Sequence, residues 1–218
     1  MPKILYIEDE LTKNIATIKK FFAPVLKDKR IIKALDELEN TNRVYADDVI
    51  RACSLSSFLD IVHTFSLALE RIVHNHKSYD LILIDRNLSI YQYDNDLEQL
   101  CAWMGEIGMS NMQERILDFS EREGDLLLQV LLRINPAYKS KVYFLTANAS
   151  DALRQSAELQ TMLDLDSFSK DHIIEKGSEK EKAISEILKD MRAFRIQNNY
   201  REQCEILRNR LTEDDVNQ

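Results

Sequence analysis

Acidic residues stand directly after two short apolar runs. "ILYI", residues 4–7, is followed by Glu8, Asp9 and Glu10, and "LILI", residues 81–84, is followed by Asp85. Two further runs, Val142 to Leu145 and His172 to Ile174, lead to Thr146 and, just past Glu175, to Lys176. Grouped carboxylates repel one another unless a cation joins them, and hard oxygen donors with room for water suit Mg²⁺. Asp85 can then act as a nucleophile toward a phosphoryl group, with Mg²⁺ and the Lys176 ammonium neutralising charge on the transferring oxygens. Each residue also has a plainer reading. Glu8 to Glu10 can be solvated charge, Thr146 a β-branched strand residue, and Lys176 a solvated lysine opening a loop. The constellation argues for chemistry where its members do not.

These residues share a crevice only if the runs are adjacent strands. Five runs qualify: Ile4 to Ile7, Phe58 to Val62, Leu81 to Ile84, Val142 to Leu145 and His172 to Ile174. Between them lie helical spacings at Ile15, Ile18 and Phe22; Leu67, Leu69 and Ile72; Leu126, Leu127, Val130, Leu131 and Ile134; and Ala183, Ile184, Ile187 and Met191. Strands alternating with helices imply right-handed crossovers and a doubly wound α/β fold, a parallel sheet covered on both faces. In such sheets ligands bind outside the carboxyl ends of the strands, which is where the polar residues stand.

Two segments exceed the alternation. Residues about 25–57 carry amphipathic patterns at Ile31, Leu35 and Leu38 and around Val49, Ile50 and Cys53. Residues about 91–119 carry Leu97, Leu100, Cys101 and Met104 before breaks at Gly105 and Gly108, then Met112, Ile116 and Phe119. Both read as inserted helices that pack on the sheet domain or on a partner. The tail, residues 193–218, has a stripe of Ile196, Tyr200, Cys204, Leu207 and Leu211. It is a candidate for homodimerisation, or for folding back on its own domain. "DNDLE", Asp94 to Glu98, starts like a calcium loop. Its sixth position is Gln99 and its twelfth Gly105, so helix capping is the better account. "HNH", His74 to His76, sits near an expected helix end, without metal partners nearby in sequence.

Bulk properties narrow the classes. The 218 residues hold 37 acidic and 29 basic side chains, a net charge of −8 that supplies no attraction to nucleic acid or an anionic membrane. Three scattered cysteines make neither a zinc knuckle nor a disulfide framework, which points to a reducing cytoplasm. No run approaches the length needed to cross a bilayer. Four glycines and three prolines leave little turn chemistry for an all-β fold.

"ILYIEDE", "DLILIDRNLS", "VYFLTANA" and "IIEKG", in this order, resemble the four signature segments of the response-regulator receiver domain of two-component signalling. The resemblance covers roughly residues 2–24, 58–90 and 120–192. It implies a flavodoxin-like sheet in the order 2-1-3-4-5, a receiver over residues 1–192 with the two helical insertions, and Mg²⁺ as cofactor. Carried over by position, Asp85 resembles the phosphoacceptor, and Glu8 and Asp9 the acidic pair that holds Mg²⁺. Asn87 matches the residue whose backbone carbonyl completes the metal shell, Thr146 the switch hydroxyl, Ala147 the small residue at the phosphodonor's entrance and Lys176 the phosphate-pairing lysine. The implied function is to accept a phosphoryl group in a Mg²⁺-dependent phosphorelay, with self-phosphorylation and dephosphorylation as the only implied chemistry. The implied partners are a sensor histidine kinase or phosphotransfer protein and a protein output partner.

Three positions depart from the family. Gly177 stands where proline usually follows the lysine through a cis bond, which without proline costs about 2.5–4 kcal/mol. Ile173 stands where a rotating aromatic is frequent, and Ser89 where proline is common. Gly177 and Ile173 favour the alternative of a degenerate receiver that binds a partner without phosphorylation. A Mg²⁺-dependent phosphohydrolase is the weaker alternative, because such sites want an acid where Asn87 stands.

Overall fold

A computed structural model describes residues 3–88, 97–111, 123–146 and 172–176, together with Glu186 and Leu188. Its centre is a five-stranded, all-parallel sheet in the order β2-β1-β3-β4-β5. The strands are β1 (Ile4–Ile7), β2 (Leu59–Val62), β3 (Leu81–Asp85), β4 (Val142–Thr146) and β5 (Ile173–Glu175). This is the doubly wound, flavodoxin-like order expected from the sequence. Asp85 and Thr146 prove to be the last residues of their strands rather than the first residues after them.

The side-chain period of two in a strand explains why both faces must be covered. Leu5 and Ile7 of β1 face one core with Ile82, Ile84, Val142, Phe144 and Ile173. Ile4 and Tyr6 face the other with Leu59, Ile61, Leu81, Leu83, Leu145 and Ile174. The first core is closed by α4 (Phe65–Asn75), α5 (Leu97–Glu106) and α6 (Glu123–Ile134). The second is closed by α1 (Ile15–Leu26), α2 (Lys29–Glu39) and α3 (Ala46–Cys53), with Leu188 fully buried among them.

The first insertion is therefore the pair α2 and α3, and it packs on the molecule itself. Asp28 caps α2 by accepting from the Arg30 N–H, and Lys19 of α1 forms ion pairs with Asp36 and Glu39 of α2. Ile31, Leu35, Val49, Ala52 and Cys53 supply the buried contacts. This insertion enters between α1 and β2, at the end of the sheet opposite the strand carboxyl ends. The second contributes α5, whose Leu100 and Met104 are buried against the first core. Gly105 lies inside α5 and does not break it. The helix ends at Glu106, and just past it the positive φ of 71° at Gly108 lets the Met109 N–H reach the Met104 carbonyl at 2.9 Å. Met112, Ile116 and Phe119, the tail stripe, the calcium-loop residues Asp94 and Asp96, Ser89, Ala147 and Gly177 lie outside the described residues.

His74 and His76 belong to packing. The His74 ring meets the edge of Trp103, the His76 ring that of Tyr138, and His76 Nδ1 lies 2.9 Å from the Ile72 carbonyl. Among the described residues no helix is long and apolar enough to cross a membrane.

Candidate phosphoacceptor and metal site

The sheet register sets the site. Ile7 pairs with Ile84 and Asp85 with Leu145, so Glu8, Asp9 and Asp85 emerge at neighbouring strand ends. One carboxylate oxygen from each of the three lies within 4.8 Å of the others. Lys176 arrives from beyond β5, held by its backbone N–H to the Thr146 carbonyl at 2.8 Å. Its ammonium donates to Glu8 Oε2 and to Asp85 Oδ2, both at 2.7 Å. Glu8 is fully buried and also accepts from the Tyr6 hydroxyl at 3.0 Å and the Glu10 N–H at 3.2 Å. Asp85 Oδ1 accepts from the Asn87 N–H at 3.3 Å.

One ammonium thus serves two buried carboxylates, and the electrostatics follow from that ratio. Burial and the Glu8 charge lift the Asp85 carboxyl from its ordinary value to about 7, although Lys176 pulls the other way. For Lys176, burial favours the neutral amine, but Asp85 and Glu8 together outweigh it and raise its pKa. The Tyr6 hydroxyl is raised well above its ordinary value by burial and by Glu8, so it stays a donor. With more carboxylates than ammonium groups, the cluster retains a place for further positive charge. Three hard oxygen donors at this spacing fit Mg²⁺.

No family model, curated protein or solved structure matches the chain. The functional reading therefore rests on these residues.

The structure brings Glu8, Asp9, Asp85 and Lys176 together. Thr146 is buried one residue beyond Leu145, the register partner of Asp85, and Asn87 is exposed two residues after Asp85. Ile173 is buried against the first core, in register with Phe144, as its place in a strand-length apolar run implies. The aromatic contact at this edge is instead His172 stacked on Tyr143, with ring centroids 4.6 Å apart.

Three residues went unnoticed in the sequence. Tyr6 is recoverable in retrospect, because it stands two positions before Glu8 on the same face of β1. Arg86 gives a weaker signal as a cation beside a buried strand; its guanidinium makes a bidentate ion pair with Asp125 of α6. Gly124 gives none, since only the fold shows α6 resting on the end of β3.

Proposed function

We propose that the chain is a receiver that accepts a phosphoryl group on Asp85. The observation that carries this reading is the shared ammonium, with Lys176 Nζ at 2.7 Å from both Glu8 and Asp85 beside the third carboxylate of Asp9. Mg²⁺ held by Glu8, Asp9, Asp85 and the Asn87 carbonyl would neutralise charge on the incoming phosphoryl oxygens. An Asp85 oxygen attacks phosphorus, the bond from phosphorus to the donor's leaving group breaks, and an acyl phosphate forms. Lys176 then turns from the Asp85 carboxylate to the phosphoryl oxygens, a change of partner that its position between two carboxylates makes short. Thr146, with Ala147 beside it in sequence, is the switch residue that meets the added oxygens.

The donor in this reading is a histidine kinase or phosphotransfer protein, and the output is contact with another protein. The setting is a cytoplasm, consistent with the free thiols of Cys53 and Cys101. A second reading has its own support: Lys176 already joins Glu8 to Asp85, and Ile173 offers no polar atom to a switch. These features suit a scaffold that stays unphosphorylated.

Incubation with acetyl phosphate and Mg²⁺, followed by intact-mass measurement of the protein and its Asp85→Asn variant, separates the two. A phosphoryl adduct on the parent alone is the expected result. No adduct with folded protein and several small phosphodonors selects the scaffold, and an equal adduct on the variant shows that another residue is the acceptor.

A further inference from the structure

Arg86 follows the acceptor directly and is itself 3% exposed. Its Nε lies 2.9 Å from Asp125 Oδ1 and its terminal nitrogen 2.8 Å from Oδ2, a fork-to-fork pair with a carboxylate that is fully buried. The Arg86 carbonyl accepts the Gly124 N–H at 3.0 Å. Residue 86 is therefore held through its side chain and its backbone by two consecutive residues of the first turn of α6. There is no slack at this contact, because a Cβ on Gly124 would sit 2.5 Å from the Asp85 carbonyl oxygen and 2.8 Å from the Arg86 Cα.

Apolar side chains of similar volume would close this contact at least as well, since a buried ion pair is often matched or exceeded in stability by hydrophobic replacements. What the pair adds is direction. A bidentate guanidinium–carboxylate contact is planar and fixes orientation as well as distance. Rotation of either peptide flanking Arg86 would re-aim the Asp85 side chain on one side and Asn87 on the other. The Asn87 N–H contact to Asp85 is too long at 3.3 Å to prevent this alone. The pair also joins the end of β3 to α6 across 39 positions of sequence.

We propose that Arg86 and Asp125 are positioning residues for Asp85, locking the end of β3 to the first turn of α6 so that the acceptor carboxylate and the Asn87 carbonyl keep one geometry. The inference rests on the phosphoacceptor reading above. It assigns no contact between Arg86 or Asp125 and the phosphoryl group.

The test uses the full chain, with Mg²⁺ alone and then Mg²⁺ plus beryllofluoride as probes, titrated by calorimetry. Arg86→Lys keeps the charge but not the fork, and the double variant Arg86→Met/Asp125→Leu removes both charges while preserving volume. Loss of a partner that orients a metal ligand typically weakens binding roughly 10- to 100-fold. That loss is expected in both variants while their urea midpoints stay near the parent's. A fall in affinity matched by a collapse in stability, or parent-like affinity in a folded variant, overturns the positioning role. Should the double variant fail to fold, Arg86→Lys alone decides. The parent and Asp85→Asn serve as controls: if they respond alike, the phosphoacceptor reading fails and the positioning role falls with it.

Discussion

One substitution placed in two helices yields opposite results if α6 rests on the end of β3. In Gly124→Ala the new methyl lies 2.5 Å from the Asp85 carbonyl oxygen, about 0.9 Å short of the 3.4 Å at which ordinary contact begins. It also lies 2.8 Å from the Arg86 Cα and 3.0 Å from the Arg86 carbonyl oxygen. All three are backbone atoms, at a strand end tied to α6 by the Gly124 N–H and the Asp125 carboxylate, so no rotamer change relieves the clash. Overpacking of this kind costs about 1–3 kcal/mol, while alanine's helix propensity returns at most about 1 kcal/mol, and less in a first turn. The net expectation is a loss of about 1–2 kcal/mol. Gly105, exposed in α5, has nothing within 4 Å of a built Cβ, so Gly105→Ala should gain up to about 1 kcal/mol. Urea unfolding of the parent and both variants, compared at equal slope, reads the difference. A Gly124→Ala protein as stable as the parent would refute the close approach, and with it the route by which α6 is held to Asp85.

Three further outcomes concern the charges. Asp85→Asn should stabilise the metal-free protein increasingly as pH rises. The folded carboxyl, at about 7 against an ordinary 3.8, binds a proton that the unfolded chain has released, so parent stability falls across that window, by up to about 4 kcal/mol, and levels off above it. Urea midpoints at pH 5 and pH 8 test this, and a variant–parent difference that does not grow with pH counts against it. Mg²⁺ binding to the parent should strengthen up to about pH 7 and release protons, because the Asp85 proton must leave; calorimetry in buffers of different ionisation enthalpy counts them. Lys176→Met should destabilise the metal-free protein by about 3 kcal/mol at pH 8, since it strips a partner from two buried carboxylates, yet bind Mg²⁺ more tightly because a competing cation is gone. Parent-like Mg²⁺ affinity in that variant would mean that Lys176 and the metal do not share oxygens.

The sheet was legible because all five strands carry apolar runs of strand length, and their polar successors marked which end faces the crevice. "ILYI" and "LILI" could be placed as buried strands before any contact was known. Boundaries drifted by a residue where polarity and pairing disagree: Asp85 and Thr146 read as post-strand residues by chemistry, yet complete the ladder by hydrogen bonding. Gly105 read as a break because glycine is a poor helix former, but its exposed position in α5 tolerates it. The Arg86–Asp125 pair was not legible. Its partners are far apart in the chain, and charge beside a strand reads first as solvation. Ile173 stands where the resembled family often carries an aromatic; its burial fits the apolar run His172 to Ile174, while its pairing with Phe144 depends on register, which residue types do not carry.

The central position of β1 has a consequence for synthesis. Ile4 pairs with both Leu59 and Leu81, so β1 leaves the ribosome before either strand that flanks it and waits until the chain reaches β2. At roughly 5–20 residues per second that is a wait of several seconds with an apolar strand unpaired. The helices made in the interval are α1, α2 and α3, which contact one another through neighbours in sequence and carry Phe22, the ring that meets Tyr6 of β1 at 5.4 Å. α1, with α2 and α3 packed beside it in the same core, thus provides a surface against which the nascent strand can shelter before its ladder exists. Because Glu8 and Asp9 follow β1 and Asp85 ends β3, a Mg²⁺-binding signal during synthesis would report that these two strands have paired.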